Sequence, residues 1–295
     1  MYENISIDEM RQAVEKVVPA LEKFSSRDVD NELDVRSRKG KQYRAMVLKE
    51  MTDAGLLEKD GQRFRYIANG HDDEIDWQTA DSGNSVDLKW PFQLHDWIKI
   101  YPKSVIILAG ESGAGKTAYL YNFILLNQKR DDIILWSNDM GAEEMAERFI
   151  NFETPISVPA PWKTFERHGE FGDVVRKYPD AIHVIDYLDL NSEVYMIGHE
   201  IDQIHRNLGK GVALIGLQKK SGQALGLGGQ FSKKRAKLYL TMGTVNVAGR
   251  LEGEFLIEKA RSRANPSINP VGVKWSYKLI NGARFEVHRK DRGHE

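Results

Sequence analysis

Cysteine is absent from this 295-residue chain, which excludes disulfide frameworks, thiolate zinc sites and cysteine nucleophiles together. Long apolar runs are missing too. None approaches the ~20 residues a membrane-spanning helix requires, and the mean hydropathy of -0.49 agrees. The opening MYENISIDEM is acidic and lacks a hydrophobic stretch, so no signal peptide and a cytoplasmic location are expected. His199 and His205 in HEIDQIH superficially suggest a zinc-protease helix, but their spacing sets them about 120° apart around a helix, on no common metal face. Gly226-Leu227-Gly228-Gly229 lacks the strand-to-helix setting of a dinucleotide fingerprint.

Acids are missing locally. Between Asp202 and Glu252 none occurs, whereas Arg206, Lys210, Lys219, Lys220, Lys233, Lys234, Arg235, Lys237 and Arg250 do. The stretch from Asp72 to Asp96 is the reverse: Asp72, Asp73, Glu74, Asp76, Asp81, Asp87 and Asp96 face the single Lys89. The net charge of -1 therefore hides a segregated distribution, and the local pattern predicts a polyanionic partner.

Residues 6–24 space apolar side chains as an amphipathic helix does, with Pro19 near an end or kink. Ser25 or Ser26 is placed to cap a second short helix through Asp34. The run YRAMVLKEMTDAGLL reads as a third, closed by Gly55, and LLEKDGQRFRYI reads as a hairpin around Asp60-Gly61. Three helices followed by a hairpin give a winged-helix-like domain over residues 1–70. Residues 71–92 read as an acidic linker, anchored on the next domain by Trp77 and Trp90. From 93 to 295, apolar runs alternate with helical segments: SVIILAG, DIILWSND, AIHVIDYL and VALIGLQ, then KLYLTMG, FLIEKA and VKWSYKLI. The expected fold class is α/β, a mostly parallel twisted sheet covered on both faces with an antiparallel extension.

Gly110-Glu111-Ser112-Gly113-Ala114-Gly115-Lys116-Thr117 matches the phosphate-binding pattern G-x-x-x-x-G-K-[ST], between a strand and a helix as that motif requires. Its glycines let backbone N–H groups wrap phosphates, Lys116 reaches the β- and γ-phosphates, and Thr117 offers a hydroxyl to Mg²⁺. Asp186, ending the apolar run Ile182–Ile185, is the expected second Mg²⁺ ligand. ATP and Mg²⁺ are the implied cofactors.

Further segments resemble the DnaB-type replicative helicases and their RecA-like relatives. These are Trp136-Ser137-Asn138-Asp139-Met140 with Arg148 on the following helix, Ile185-Asp186-Tyr187-Leu188, Leu217-Gln218 and Glu258-Lys259-Ala260-Arg261. The resemblance covers about residues 93–290 and implies a RecA-like ATPase core. It implies that Asp139 stands where the family has a catalytic Glu, one methylene shorter; the alternative is that Asp139 caps the helix beginning near Gly141. It further implies that Gln218 senses the γ-phosphate and that Lys259 and Arg261 reach the neighbouring subunit's nucleotide, so that the protein is a homo-oligomer, a ring such as a hexamer.

The stretch Lys219–Arg235 follows Gln218, and in RecA-like rings such loops face the channel. The stretch is Gly-rich, basic and too polar to pack, and Lys219, Lys220, Lys233, Lys234 and Arg235 are accordingly expected to hold single-stranded DNA; the alternative is a disordered solvated loop. In the first domain, Arg36, Arg38, Lys39, Lys41, Arg44 and Lys49 form a second basic cluster, suited to duplex DNA or to a protein partner. The expected activity is that of a DNA-dependent ATPase, a helicase or translocase in replication. The alternatives are an ATP-switched recombination or annealing filament and a nucleotide-controlled DNA-binding regulator.

Overall fold

The computed structural model describes residues 6–21, 23–66, 75, 77–138, 140–188, 196–247 and 249–291. The chain divides into two compact units, Met1–Ala80 and Asp81–Glu295.

In the first unit, helix α1 (Ile7–Val17) starts at Ser6, whose hydroxyl accepts from the Glu9 amide while the Glu9 carboxylate accepts from the Ser6 amide. A 3-10 turn containing Pro19 ends it, since proline cannot donate to a helical ladder. Strand β1 (Phe24–Ser25) leads into α2 (Ser26–Glu32), which Ser25 and Asp28 cap reciprocally. The second helix stops two residues before Asp34. That residue takes a left-handed φ of 48°, and Leu33 and Val35 on either side of it are buried. Helix α3 (Arg38–Asp53) is capped by Ser37, and Gly55 at φ 73° turns the chain into β2 (Leu57–Asp60) and β3 (Arg63–Tyr66). The three strands make an antiparallel sheet in the order β1-β3-β2. Met10, Val14, Val29, Val47, Leu48 and Leu57 fill the core.

The second unit runs β4 (Ser104–Gly110), α4 (Lys116–Leu126), β5 (Ile133–Ser137), α5 (Ala142–Ile150), β6 (Lys163–Glu166), α6 (Phe171–Lys177) and β7 (Ile182–Asp186). It continues through α7 (Met196–Asn207), β8 (Val212–Gln218), α8 (Gln230–Arg235), β9 (Leu238–Val247), β10 (Arg250–Ala260), β11 (Lys274–Ile280) and β12 (Arg284–Asp291). One nine-stranded sheet results, in the order β12-β11-β10-β9-β4-β8-β7-β5-β6. The strands from β9 to β6 are parallel, and β10 to β12 extend the sheet antiparallel. Strands β4, β5 and β7 are buried along their whole length, hence their unbroken apolar sequences. Alternation along β4 sends Ile106 and Leu108 to one core layer and Val105, Ile107 and Ala109 to the other.

Within the stretch 71–92, Leu88 and Trp90 are buried in the second unit's core, and Trp90 packs on Phe123 at a ring separation of 4.6 Å. Trp77 is exposed. Strands β6 and β12 were not foreseen: β6 is a fully exposed edge strand, and the sequence of β12 is largely charged. Among the described residues, no helix is long and apolar enough to cross a membrane.

Candidate functional site: a phosphate-binding pocket at the strand ends

Parallel α/β sheets bind ligands beyond the carboxyl ends of their strands, because helix N-termini and loops converge there. Here β4, β7 and β8 deliver Gly110, Asp186 and Gln218 to one such edge. The loop after β4 turns through Gly113 at φ 74° and Gly115 at φ 94°, a conformation that side-chain-bearing residues rarely adopt. Gly115 is the N-cap of α4 and has no side-chain cap, so the first-turn amides of that helix are directed at the loop. Gly110 is required for another reason: a Cβ there would lie 2.5 Å from Lys116 Cγ.

The Lys116 ammonium folds back over this cradle. It donates to the carbonyls of Gly110 (2.9 Å) and Glu111 (3.1 Å) and to Gln218 Oε1 (3.0 Å). Thr117 Oγ1 donates to Asp186 Oδ1 at 3.3 Å, and Asp186 is almost completely buried. A hydroxyl and a carboxylate side by side at a phosphate cradle are the hard oxygen donors Mg²⁺ takes, with phosphate and water completing its shell. The residues present therefore fit a Mg²⁺-nucleotide. The cavity measures about 620 Å³ and extends from the cradle between α5 and the β11–β12 turn.

The far end of that cavity is where the sequence was least informative. Glu144, Glu147, Arg148 and Asn151 line one wall, and Leu279, Asn281 and Gly282 the other. Asn281 and Gly282 both have positive φ, the signature of a tight hairpin turn, so an Asn-Gly pair between two strand-like runs was the available signal. The same hairpin braces the cradle. The Tyr277 hydroxyl donates to the Ala114 carbonyl at 2.5 Å, and a Cβ on Gly115 would meet Leu279 and Phe285. Burial, and then the charge of Glu111, push the Tyr277 hydroxyl well above its usual range, so it remains a donor.

Asp139 lies outside the described residues. Its neighbours are placed: the Asn138 amide donates to the Asp186 carbonyl at 3.2 Å, Asn138 Oδ1 accepts from the Tyr187 amide, and Met140 lines the cavity. The N-cap of α5 is Gly141, without a side-chain cap.

The five basic residues expected to face DNA do not form one solvent-facing set. Lys219 is buried; its ammonium pairs with Glu111 Oε1 at 2.9 Å and donates to the Gln223 carbonyl at 3.1 Å. Burial raises the Glu111 carboxyl, but Lys219 and Thr244 outweigh it and hold the group below its usual range. Lys233 pairs with Glu258 at 2.7 Å, and Arg235 pairs with Asp202. Lys220 and Lys234 are exposed and form no ion pair among the described residues, as does Lys237, which the expected set omitted. The expectation of a stretch too polar to pack is also corrected. Leu225 and Leu227 pack on the core, and the Gly226 amide donates to the buried Tyr239 hydroxyl at 3.0 Å.

Lys259 and Arg261 occupy the opposite end of the sheet from the cradle. Ala260 pairs with Leu238 and Leu238 with Ile106, whereas Gly110 pairs with Met242. Four residues of strand put about 13 Å between those levels. Lys259 is not a free cation: its ammonium donates to the carbonyls of Lys233 (2.7 Å) and Lys234 (3.5 Å) at the end of α8. Burial, followed by Arg261, Lys233 and Lys237, lowers its pKa. Arg261 is exposed and makes no ion pair among the described residues.

No protein-family model matches the chain, and no curated protein does. Among solved structures, it is similar to a KaiC-like protein of the hyperthermophilic archaeon Pyrococcus horikoshii, at a TM-score of 0.53. The match covers 70% of this chain and 99% of that one at 14% identity, a level that establishes the fold alone. The second unit is thus an α/β core of the RecA-like fold, with the glycine-rich loop 110–117 at the carboxyl ends of its strands.

Proposed function

We propose that the protein is an ATP hydrolase of the RecA-like type, working in the cytoplasm as a homo-oligomer on single-stranded DNA. One observation carries the hydrolase reading: Lys116, Thr117, Asp186 and Gln218, from the first turn of one helix and the ends of two strands, converge on one cradle at the N-terminus of α4. Lys116 and the amides of residues 111–117 neutralise the phosphates. Thr117 and Asp186 hold Mg²⁺, which supplies charge neutralisation on the triphosphate. The wall of Arg148, Asn151 and Asn281 receives the base. Asp139 is the base that takes a proton from the attacking water, a role resting on the resemblance to DnaB-type proteins. The exposed Arg261, too far from its own cradle, serves the neighbouring subunit's nucleotide, which makes the ring or filament a requirement of turnover.

The DNA reading rests on the exposed Lys220, Lys234 and Lys237 and the exposed Phe231, all on one acid-free segment. Mg²⁺-dependent ATP turnover with and without single-stranded oligonucleotide tests the proposal. Lys116→Ala should abolish both rates, and absence of turnover in the wild-type chain would defeat the hydrolase reading.

A second reading has its own support in the first unit. Its element order and three-stranded sheet support the winged-helix-like reading, and the exposed first turn of α3 carries Arg38, Lys39 and Lys41. Arg44 is withdrawn from that cluster by its two bonds of 2.8 Å to Asp30. Such a helix suits duplex DNA, as a nucleotide-controlled regulator needs. Unwinding of a forked duplex separates the two readings.

A further inference from the structure

Glu111 is the one loop residue whose main chain and side chain are both engaged. Its carbonyl accepts from Lys116, the cation that meets the phosphates. Its carboxylate accepts from Lys219 at 2.9 Å through one oxygen and from Thr244 at 3.2 Å through the other. Both side chains of the Glu111–Lys219 pair are about nine-tenths buried. Lys219 follows Gln218, the other partner of Lys116, and its ammonium also holds the Gln223 carbonyl within the basic loop. Thr244 lies in β9 just beyond the level of the cradle, where β9 and β10 run on as a hairpin. There is little room for slack, since a Cβ on Gly243 would sit 3.1 Å from Glu111 Oε1 and 3.3 Å from Lys219 Nζ.

We infer that Glu111 is a positioning residue that transmits nucleotide occupancy from the phosphate cradle to the basic loop 219–229 and the β9–β10 hairpin. A phosphate group competes for the Lys116 ammonium, which now bonds to the Glu111 carbonyl and to Gln218. Both ends of the Glu111–Lys219 pair respond, because each is attached to one of those two acceptors. A buried charge pair cannot stretch without leaving an uncompensated charge, so the shift passes on instead of being absorbed. This inference rests on the nucleotide reading of the pocket, and the experiment separates the two.

Hydrogen exchange of the full chain, with no DNA present, would be measured with and without a non-hydrolysable ATP analogue and Mg²⁺. In the wild type, exchange at Gln223 and Thr244 should slow by about tenfold on binding. In Glu111→Gln and in Lys219→Met, saturated with the analogue, the slowing should fall below about twofold at both sites while the α4 amides remain protected. The exchanged pair Glu111→Lys with Lys219→Glu should restore part of it, which a loss of packing alone does not explain. If the wild type binds the analogue without slowing at these amides, or if both single variants keep the full response, the transmission is refuted. Failure of the wild type to bind the analogue would instead overturn the nucleotide reading, and the inference with it.

Discussion

Lys259 donates to the backbone carbonyl of Lys233 at 2.7 Å, while the neighbouring Glu258 pairs with the Lys233 ammonium at the same distance. The strand end that resembles a trans-acting finger and the helix carrying three of the expected DNA contacts are therefore one piece of structure. Lys259 satisfies carbonyls that the end of α8 leaves without helical partners. Lys259 and Arg261 are thereby separated in role: the lysine fixes α8, and the arginine alone projects.

Arg261→Ala should fail in a manner that depends on its neighbours. A finger in trans is useless to its own subunit's nucleotide, and its loss should reduce turnover by about a thousandfold. Mixing Arg261→Ala with Lys116→Ala subunits should restore turnover, through interfaces that pair an intact cradle with an intact arginine. No recovery at any ratio, despite demonstrated co-assembly, would place the complete site within one subunit.

Asp139→Asn should bind ATP as the wild type does and hydrolyse it at least about a hundredfold more slowly, because an amide cannot accept the proton of the attacking water. Single-turnover hydrolysis beside nucleotide-binding fluorescence checks this. Wild-type turnover would move the base elsewhere.

The two basic regions should differ in what they hold. Changing Lys220, Lys234 and Lys237 to Ala should weaken single-strand binding and flatten its salt dependence, each lost phosphate contact reducing the slope by about 0.7. Lys219, Lys233 and Arg235 are left unchanged in that variant because removing them would strand Glu111, Glu258 and Asp202. Deleting residues 1–80 should preserve single-strand binding and remove duplex or partner binding. Fluorescence anisotropy over a salt series reads both. An unchanged slope in the triple variant would show that these three lysines do not contact phosphates.

His183 should give the second unit an acid-sensitive component. Trp136 Nε1 donates to its Nδ1 at 3.1 Å and its Nε2 meets the Tyr178 carbonyl at 2.9 Å, so the proton is on Nε2 and the ring is neutral. Burial, opposed by the Tyr178 bond, pushes its pKa from 6.5 down to about 4. Between those values the unfolded chain binds a proton that the folded chain refuses, so stability falls as pH falls. From pH 7.5 to 5 the loss from this residue should be about 2 kcal/mol. Urea melts should show His183→Gln losing less than the wild type over that interval, and an equal loss would show that the ring is protonated in the folded state.

Local sequence determined much of this protein. The loop from Gly110 to Thr117, the buried strands before Gly110, Asp186 and Gln218, and the cap at Ser25 were legible because each depends on a short-range rule: backbone geometry at glycine, burial on both faces of a strand, or a side chain closing its own helix. The acid-free segment was visible as well, but its destinations were not. Lys219 finds Glu111 across 108 positions, Arg235 finds Asp202 across 33, and Lys259 finds the end of α8 across 26. Charge in a sequence is a property of one residue, whereas the availability of that charge to a ligand is a property of a pair. Only the packing of strands and helices distant in sequence decides which pairs meet, and it is the sheet register that carries Arg261 away from its own cradle and brings Tyr277 and Asn281 onto it.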